Sequence, residues 1–214
     1  MGEAKRKKQI QISNLQQITM ACEKVSSALV RLATAASSNL GADCYLHAAL
    51  GQKLLQELGF ESQIKVGFAA WRVGVGDSDV ISHTYKTQSY SPPGKQGIGV
   101  PFHAWLECDG LIVDFTTYQF IQKARDLDAL DGGTTHVDWR PVFLVVPKTH
   151  LHTFHDVAQK SPKMAHYEEN QDMFEKISAG FELDPFDLET ALHLMGNESI
   201  QVFGPNQIDA PPGG

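Results

Sequence analysis

The chain has 214 residues, of which 42% are hydrophobic and 20% charged, and its formal net charge at pH 7 is -7. This length and composition predict one globular domain with a core of useful size. The acidic balance argues against nucleic acid as a partner, because phosphate binding requires a basic surface. No apolar run of about 18 residues is present, which argues against a membrane partner.

The first part of the chain predicts two helices and a strand. Apolar residues recur every three or four positions from residue 10 to 38, as in an amphipathic helix that could also join two copies of the chain. A second helix is predicted over 43–58 with Asp43 as its N-cap, and its broad apolar surface indicates a buried position. β-branched and aromatic residues over 62–73 predict a strand.

A long irregular segment and a hairpin come next. Gly, Ser and Pro are frequent over 74–100, which predicts a loop that could form one wall of a substrate cleft. Two apolar runs, 102–108 and 111–116, flank Asp109-Gly110, a strong signal for a two-residue hairpin turn.

The last third predicts one more strand and then helices. The continuous apolar run within 139–147 is typical of a strand in the centre of a sheet. One helix is predicted over 163–178. Another is predicted from Asp184-Pro185 to Gly196-Asn197, because Pro is favoured at the first helical position and Gly at helix ends.

The order of these elements predicts an α+β fold, in which a central helix that carries a cysteine packs on a mainly antiparallel sheet. Extra helices are expected at both ends. Residues 1–9 are expected to be a flexible basic tail, 10–204 a single domain, and 205–214 a second flexible tail. Within the domain the core covers about 39–147 and the C-terminal helices about 150–197.

The cysteine content favours a reducing compartment. The three cysteines, at positions 22, 44 and 108, do not form a dense disulfide framework. The polar, basic start of the chain lacks the apolar stretch of a secretory signal. The sequence therefore predicts free thiols and a cytoplasmic location.

The most specific pattern for chemistry combines a cysteine and a histidine. Cys44 opens the second predicted helix, and His103 lies on the first strand of the predicted hairpin. A cysteine attacks as a thiolate, and both the positive end of a helix dipole and a nearby imidazole favour that form. Cys44 is therefore a candidate nucleophile with a lowered pKa, and His103 is its candidate general base.

The second strand of the hairpin supplies a carboxylate. With a two-residue turn, Asp114 faces Trp105 and lies diagonal to His103 on the same face of the sheet. From there it could accept a hydrogen bond from the imidazole and fix its tautomer. Thr116 lies opposite His103 in this register and competes for the same role.

An acyl-transfer site also needs donors for the oxyanion. The backbone N–H of Cys44 is one candidate. The side chain of Asn39 is a second, although Asn is also common where helices end. Trp105, on the same face as His103, is a candidate for the wall of the cleft.

These segments resemble the transglutaminase-like branch of the papain-like cysteine enzymes. The similarity is carried by Cys44, by His103-Ala-Trp-Leu-Glu107 and by Val113-Asp-Phe-Thr116, and it covers about residues 39–118. The hairpin also resembles that of lasso-peptide leader peptidases. The resemblance implies that Cys44 is the nucleophile, His103 the general base and acid, and Asp114 the residue that orients the imidazole. Arylamine N-acetyltransferases share the triad, but their Arg- and Gly-rich approach to the cysteine is not matched here.

One other cluster suggests metal binding. His150, His152 and His155 have the spacing of metal ligands, but no cysteine or carboxylate pair completes the set, so a solvated surface is the preferred interpretation. No metal and no cofactor are predicted.

The sequence thus predicts a cysteine hydrolase that acts through a thioester on a protein, a peptide or a small amide. Hydrolysis is preferred over transglutaminase-type cross-linking. A non-catalytic interaction module and acetyl transfer from coenzyme A remain the alternatives.

Overall fold

A computed structural model describes residues 2–83, 101–159 and 161–207, with side chains described from residue 14 to residue 206. The fold is α+β, as predicted. The helices are α1 (Gly2–Ala36), α2 (Cys44–Glu57), α3 (Phe120–Asp131), α4 (Phe154–Gln159), α5 (Gln171–Ala179) and α6 (Pro185–Gly196). The strands are β1 (Gln63–Arg72), β2 (Val80–His83), β3 (His103–Cys108), β4 (Leu111–Asp114), β5 (Leu144–Pro147) and β6 (Ala165–Glu169). Within the described ranges, no helix combines the length and hydropathy needed to cross a bilayer.

All strand pairs of the sheet are antiparallel, and β1 is its centre because it pairs with β2, β3 and β6. Gly67 pairs with both β3 and β6, and Ala69 pairs with both β2 and β6. A strand residue has only two edges, so β6 occupies one edge of β1 while β3 and β2 follow each other along the other. As a result, His83 at the end of β2 and His103 at the start of β3 lie near each other beside β1.

The two faces of the sheet carry two hydrophobic clusters. Val66, Ala104 and Leu106 belong to the cluster that also contains the buried residues of α1, α2 and α6. Trp71 and Trp105 belong to the second cluster, which includes Phe120 of α3 and Tyr167 of β6. This division follows the alternation of side chains along each strand.

The apolar stripe of α1 is buried inside the chain. Ile18, Cys22, Val25 and Leu29 are at most 1% exposed, and α1 lies against α2 and α6. This part of the stripe is therefore not available to a second copy, which removes the basis for the dimer expected through residues 10–38.

The segment predicted to be a flexible tail, residues 1–9, differs in its backbone, because α1 begins at Gly2. The segment is rich in Lys, Arg, Glu and Gln, which are good helix formers. At the other end, Pro205–Gln207 forms a short 3-10 turn, and residues 208–214 of the second predicted tail lie outside the described residues.

The single helix predicted over 163–178 is wrong in its first half, since this segment forms β6 followed by α5. Ala165 and Tyr167 are buried while their neighbours are more exposed, which is the alternation of a strand. The side chain of Asn170 then accepts a hydrogen bond from the backbone N–H of Met173 at 3.0 Å and begins α5 as its N-cap.

Two further strands differ from expectation. The segment predicted to be irregular over 74–100 contains β2, while residues 84–100 lie outside the described residues. The strand predicted over 139–147 is confined to Leu144–Pro147 and pairs with β4 at the end of the sheet rather than in its centre. Pro147 lacks an N–H, which suits it to an edge strand.

Candidate active site

The hairpin of β3 and β4 places the first two candidate residues. Cys108 pairs with Leu111, as a two-residue turn requires. Asp109 and Gly110 have φ angles of 49° and 75°, the left-handed conformation that this turn demands. The predicted register is therefore correct, and His103 and Asp114 lie diagonally on one face of the sheet.

His103 and Asp114 form a buried pair. The Nε2 atom of His103 lies 2.8 Å from Oδ2 of Asp114, and both side chains are fully buried. An ionised carboxylate only accepts hydrogen bonds, so Nε2 carries the proton and the neutral ring keeps a lone pair on Nδ1. This Nδ1 atom is buried and has no hydrogen-bond partner within the described part of the chain. The pair thus fixes the tautomer that can accept a proton at Nδ1.

The carboxylate of Asp114 accepts three further hydrogen bonds. Its Oδ1 atom accepts from the backbone N–H and the hydroxyl of Thr116, each at 2.8 Å, and its Oδ2 atom accepts from the hydroxyl of Tyr167 at 2.8 Å. Burial opposes ionisation of Asp114, but His103, Lys123 and the Thr116 N–H outweigh it and hold the pKa below its ordinary value. Thr116 therefore supports Asp114 and does not replace it.

Cys44 is the first residue of α2, as predicted, and it lies against the start of β3. Its Sγ atom is 4.0 Å from the carbonyl oxygen of Phe102, and the backbone N–H of Ala104 favours its thiolate. The thiol therefore meets the main chain on both sides of His103. Its hydrogen bond is to Phe102, and it makes none to the imidazole.

The protonation states of the pair differ from expectation. Burial raises the pKa of the Cys44 thiol, although Lys123 and the Ala104 N–H act in the opposite direction. Burial also lowers the pKa of His103, and Lys123 adds to this effect while Asp114 opposes it. Both shifts favour a neutral thiol and a neutral imidazole at rest. The prediction of a lowered thiol pKa, made from the helix dipole and a nearby imidazole, left out the cost of complete burial.

Aromatic rings and a second imidazole surround His103. The indole of Trp71 stands at 90° to the His103 ring with centroids 4.8 Å apart, and at 83° to the His83 ring at 5.9 Å. The two imidazoles lie nearly parallel, 8° apart in plane and 5.9 Å between centroids. Gly67 and Ala69 of β1 are the residues that pair with His103 and His83.

A buried cation completes the site. Lys123 of α3 is 2% exposed. Its Nζ atom donates to the Thr116 hydroxyl at 3.0 Å and lies 5.4 Å from the centre of the Trp71 ring. The negative charge of Asp114 and the positive charge of Lys123 thus offset each other in a buried environment.

Sequence reasoning missed four of these residues: His83, Trp71, Lys123 and Tyr167. A signal for Lys123 was present, because it shares a helical face with Phe120, Ala124 and Leu127, where a charge is unexpected. The alternation around Tyr167 was the corresponding signal for a strand.

The other two candidates differ in their placement. Asn39 is exposed, and its amide donates to the Ser38 hydroxyl at 3.2 Å. Trp105 is 3% exposed, lies 6.2 Å from the His103 ring between centroids, and has no hydrogen-bond partner for its Nε1 within the described part of the chain. Trp105 therefore belongs to the site, whereas the structure gives Asn39 only a local contact.

The predicted cap of α2 also differs in detail. Asp43 occupies the N-cap position, but its side chain makes no capping hydrogen bond. Instead, its Oδ2 atom accepts from the Ser37 hydroxyl at 2.7 Å. The first turn of α2 therefore begins at Cys44 without a side-chain cap, which leaves the positive end of the helix next to the thiol.

A cavity of about 380 Å³ lies beside this helix end, between α1, α2 and the start of α6. Asn39, Asp43 and His47 contribute to its wall. Cys44 and His103 do not line it, so we base the site on the hydrogen-bonded network and not on this cavity.

The described residues contain no group of three or more His, Cys, Asp or Glu side chains that could hold a metal ion. This includes His150, His152 and His155, which all lie within the described ranges. All three cysteines are free and buried.

Comparisons with known proteins give the fold alone. No family model and no curated protein matches the sequence. A crystal structure described only as that of a genomics target matches with a TM-score of 0.56 and 16% sequence identity, over 83% of this chain and 78% of that chain. The shared architecture extends over most of both chains, and at this identity it assigns no activity.

Proposed function

We propose that this protein is a cysteine-dependent acyl-transfer enzyme that hydrolyses an amide or peptide bond. The observation that carries the proposal is the His103–Asp114 pair: Nε2 is held by a buried carboxylate at 2.8 Å, while Nδ1 has no partner within the described part of the chain. A buried imidazole nitrogen without a hydrogen-bond partner destabilises the folded protein. A role as proton acceptor during a reaction would explain why this nitrogen is left unpaired.

In the proposed reaction, the Cys44 thiol exchanges its contact with Phe102 for one with His103, and Nδ1 takes its proton. The thiolate attacks the substrate carbonyl and forms a tetrahedral adduct. The imidazolium then returns the proton to the leaving amine, and a thioester remains. A water molecule, deprotonated by the same imidazole, hydrolyses the thioester and restores the thiol.

The surroundings support this assignment of roles. The first turn of α2, which has no side-chain cap, offers the backbone N–H of Cys44 to the oxyanion. The Nε1–H of Trp105, which has no partner among the described residues, is a second donor beside the imidazole. The resemblance of the Cys44, His103 and Asp114 motifs to transglutaminase-like enzymes supports the same roles. Free cysteines agree with a thiol enzyme of the reducing cytoplasm.

The test is the reactivity of the three thiols. Iodoacetamide should alkylate Cys44 faster than Cys22 and Cys108. Burial raises the pKa of all three thiols, to about 12 for Cys22 and about 11 for Cys108, but in the proposed reaction Cys44 has His103 to take its proton. His103→Gln should slow Cys44 to the rate of the other two, because the neutral thiol then loses its base. His155→Gln, at an exposed position, is the matched control. Equally slow alkylation of all three thiols in the wild-type protein would refute the proposal.

A non-catalytic interaction module is the second candidate. It is favoured by one observation, the contact of the buried thiol with Phe102 and not with the imidazole. Acyl-enzyme trapping separates the two functions. An activated ester or acetyl coenzyme A should leave an acyl group on Cys44 of the enzyme, detectable by mass spectrometry, and none on Cys44→Ala. A stable acetyl adduct from acetyl coenzyme A alone would favour acetyl transfer.

A further inference from the structure

We infer that Lys123 is a positioning residue of this site: its ammonium holds the Thr116 hydroxyl, and through it the Asp114 carboxylate, in the orientation that receives His103. The inference concerns the proposed active site and takes its catalytic meaning from the proposed function. The arrangement itself can be tested without any substrate.

The geometry gives a continuous chain of hydrogen bonds. Lys123 Nζ donates to Thr116 Oγ1 at 3.0 Å, and the same hydroxyl donates to Asp114 Oδ1 at 2.8 Å. Since the lysine can only donate, the hydroxyl proton must point to the carboxylate. Oδ1 is thereby occupied, and Oδ2 is left to accept from His103 at 2.8 Å and from Tyr167.

The burial of Lys123 indicates a role beyond packing. A lysine is rarely buried completely, because transfer of an ammonium from water is unfavourable unless a negative charge or hydrogen bonds offset it. Here the ammonium donates to the Thr116 hydroxyl and lies over the face of Trp71. The negative charge of Asp114, to which the Thr116 hydroxyl donates, is also nearby. Among the described residues, these partners of the ammonium all belong to the site.

The ammonium acts on the titratable groups of four elements. Its positive charge favours a lower pKa for His83 on β2, His103 on β3 and Asp114 on β4, and at Cys44 on α2 it opposes the increase in pKa that burial causes. The negative charge of Asp114 acts in the opposite direction and favours a higher pKa at Cys44, His83 and His103. Lys123 thus favours the neutral imidazole that the proposed base requires, and at the same time it favours the thiolate.

The experiment uses the full chain with ¹⁵N-labelled histidine, followed by nuclear magnetic resonance across a pH titration. Lys123→Met removes the charge at similar side-chain length, and Lys53→Met is the matched change at an exposed position of α2. In Lys123→Met, His103 should take up its second proton at a higher pH than in the wild type, and its Nε2–H should exchange with water roughly tenfold faster, as expected when about 1.4 kcal/mol of hydrogen bonding is lost.

A second pair of variants separates orientation from charge. Thr116→Val keeps the ammonium but breaks the chain, so it should accelerate exchange of the His103 Nε2–H, while Thr116→Ser should restore the wild-type lifetime. Wild-type exchange in Thr116→Val would overturn the inference, even if Lys123→Met failed to fold. Wild-type titration and exchange in a folded Lys123→Met would overturn it as well.

These outcomes are independent of the proposed reaction. The same changes are expected in a Cys44→Ala background, where no acyl transfer can occur. If the alkylation test fails but the His103 signals respond to Lys123→Met, the positioning role stands without the enzyme. If the reverse holds, the enzyme stands without this role for Lys123.

Discussion

Tyr167 donates its hydroxyl to Asp114 Oδ2 across 2.8 Å, on the same oxygen atom that accepts the Nε2–H of His103. The hydroxyl in turn accepts the indole N–H of Trp71 at 2.9 Å. β6 lies along the edge of β1 opposite to β3, so Tyr167 holds the carboxylate from across β1. The complete environment of Asp114 is assembled from segments far apart in the chain.

Tyr167→Phe should destabilise the protein by about 1–3 kcal/mol, because it removes one donor to Asp114 and leaves the buried N–H of Trp71 without an acceptor. Denaturant unfolding followed by fluorescence measures this change. Tyr45→Phe is the matched control, since the Tyr45 hydroxyl makes no hydrogen bond to the described residues and its ring packs on Phe181. Equal unfolding free energies of the two variants would show that the hydrogen bonds of the Tyr167 hydroxyl do not stabilise the fold.

His83 makes the stability of the protein sensitive to mild acid. Burial lowers the pKa of His83 well below its ordinary value, and the positive charge of Lys123 adds to this effect, as does His103 when it is protonated. Between that lowered pKa and about 6.5, the unfolded chain binds a proton that the folded protein does not, so stability is greatest above pH 6.5 and falls as the pH decreases.

His83→Gln should therefore reduce the loss of unfolding free energy between about pH 6.5 and pH 5, without removing it, because the pKa of His103 is lowered as well. Urea unfolding at a series of pH values gives the slope. His155→Gln, at an exposed position, should keep the wild-type slope. An unchanged slope in His83→Gln would mean that folding does not lower the pKa of this imidazole.

The sequence was sufficient to predict the local part of the site. The Asp109-Gly110 turn determines the register of the hairpin, and the period of two then places His103 and Asp114 on one face. The start of α2 at Cys44 was predicted in the same way from its neighbours. These features depend on residues that are close in sequence, for which turn chemistry and periodicity are strong constraints.

The remainder of the site depends on contacts between distant segments. Tyr167 reaches Asp114 only because β6 pairs with β1, and helical spacing of apolar residues concealed that strand. The pKa of Cys44 depends on how completely α2 is covered, which local sequence does not specify. Lys123 appeared as an isolated charge in an amphipathic helix, and only the fold shows the carboxylate network that it serves.

Arg31 joins α1 to the end of α6. Its guanidinium donates to the carbonyl oxygen of Leu194 in the last turn of α6, where carbonyls lack intrahelical partners. It also donates to the carbonyl oxygens of Asn197, Glu198 and Ile200, which follow the helix. Arg31→Met should therefore lower the unfolding free energy by about 1–3 kcal/mol, since several carbonyl oxygens lose their hydrogen-bond donor at once. Lys24→Met, an exposed position on the same helix, should change it by less than about 0.5 kcal/mol. A similar small effect of Arg31→Met in denaturant unfolding would contradict the proposed link.

Gly51 allows α2 to approach the sheet next to Asp114. A Cβ atom at this position would lie 2.6 Å from two carbon atoms of the Phe115 ring, and Phe115 directly follows Asp114. Gly51→Ala gains about 1 kcal/mol of helix propensity, but overpacking against a buried ring typically costs about 1–3 kcal/mol and displaces the backbone. We expect a net loss of stability and faster exchange of the His103 Nε2–H, because the displaced ring belongs to the strand end that carries Asp114.

Gly196→Ala near the end of α6 is the control, since its Cβ would meet no atom within 4 Å. If Gly51→Ala were as stable as Gly196→Ala in denaturant unfolding, close approach of α2 to β4 would not be a requirement of the fold.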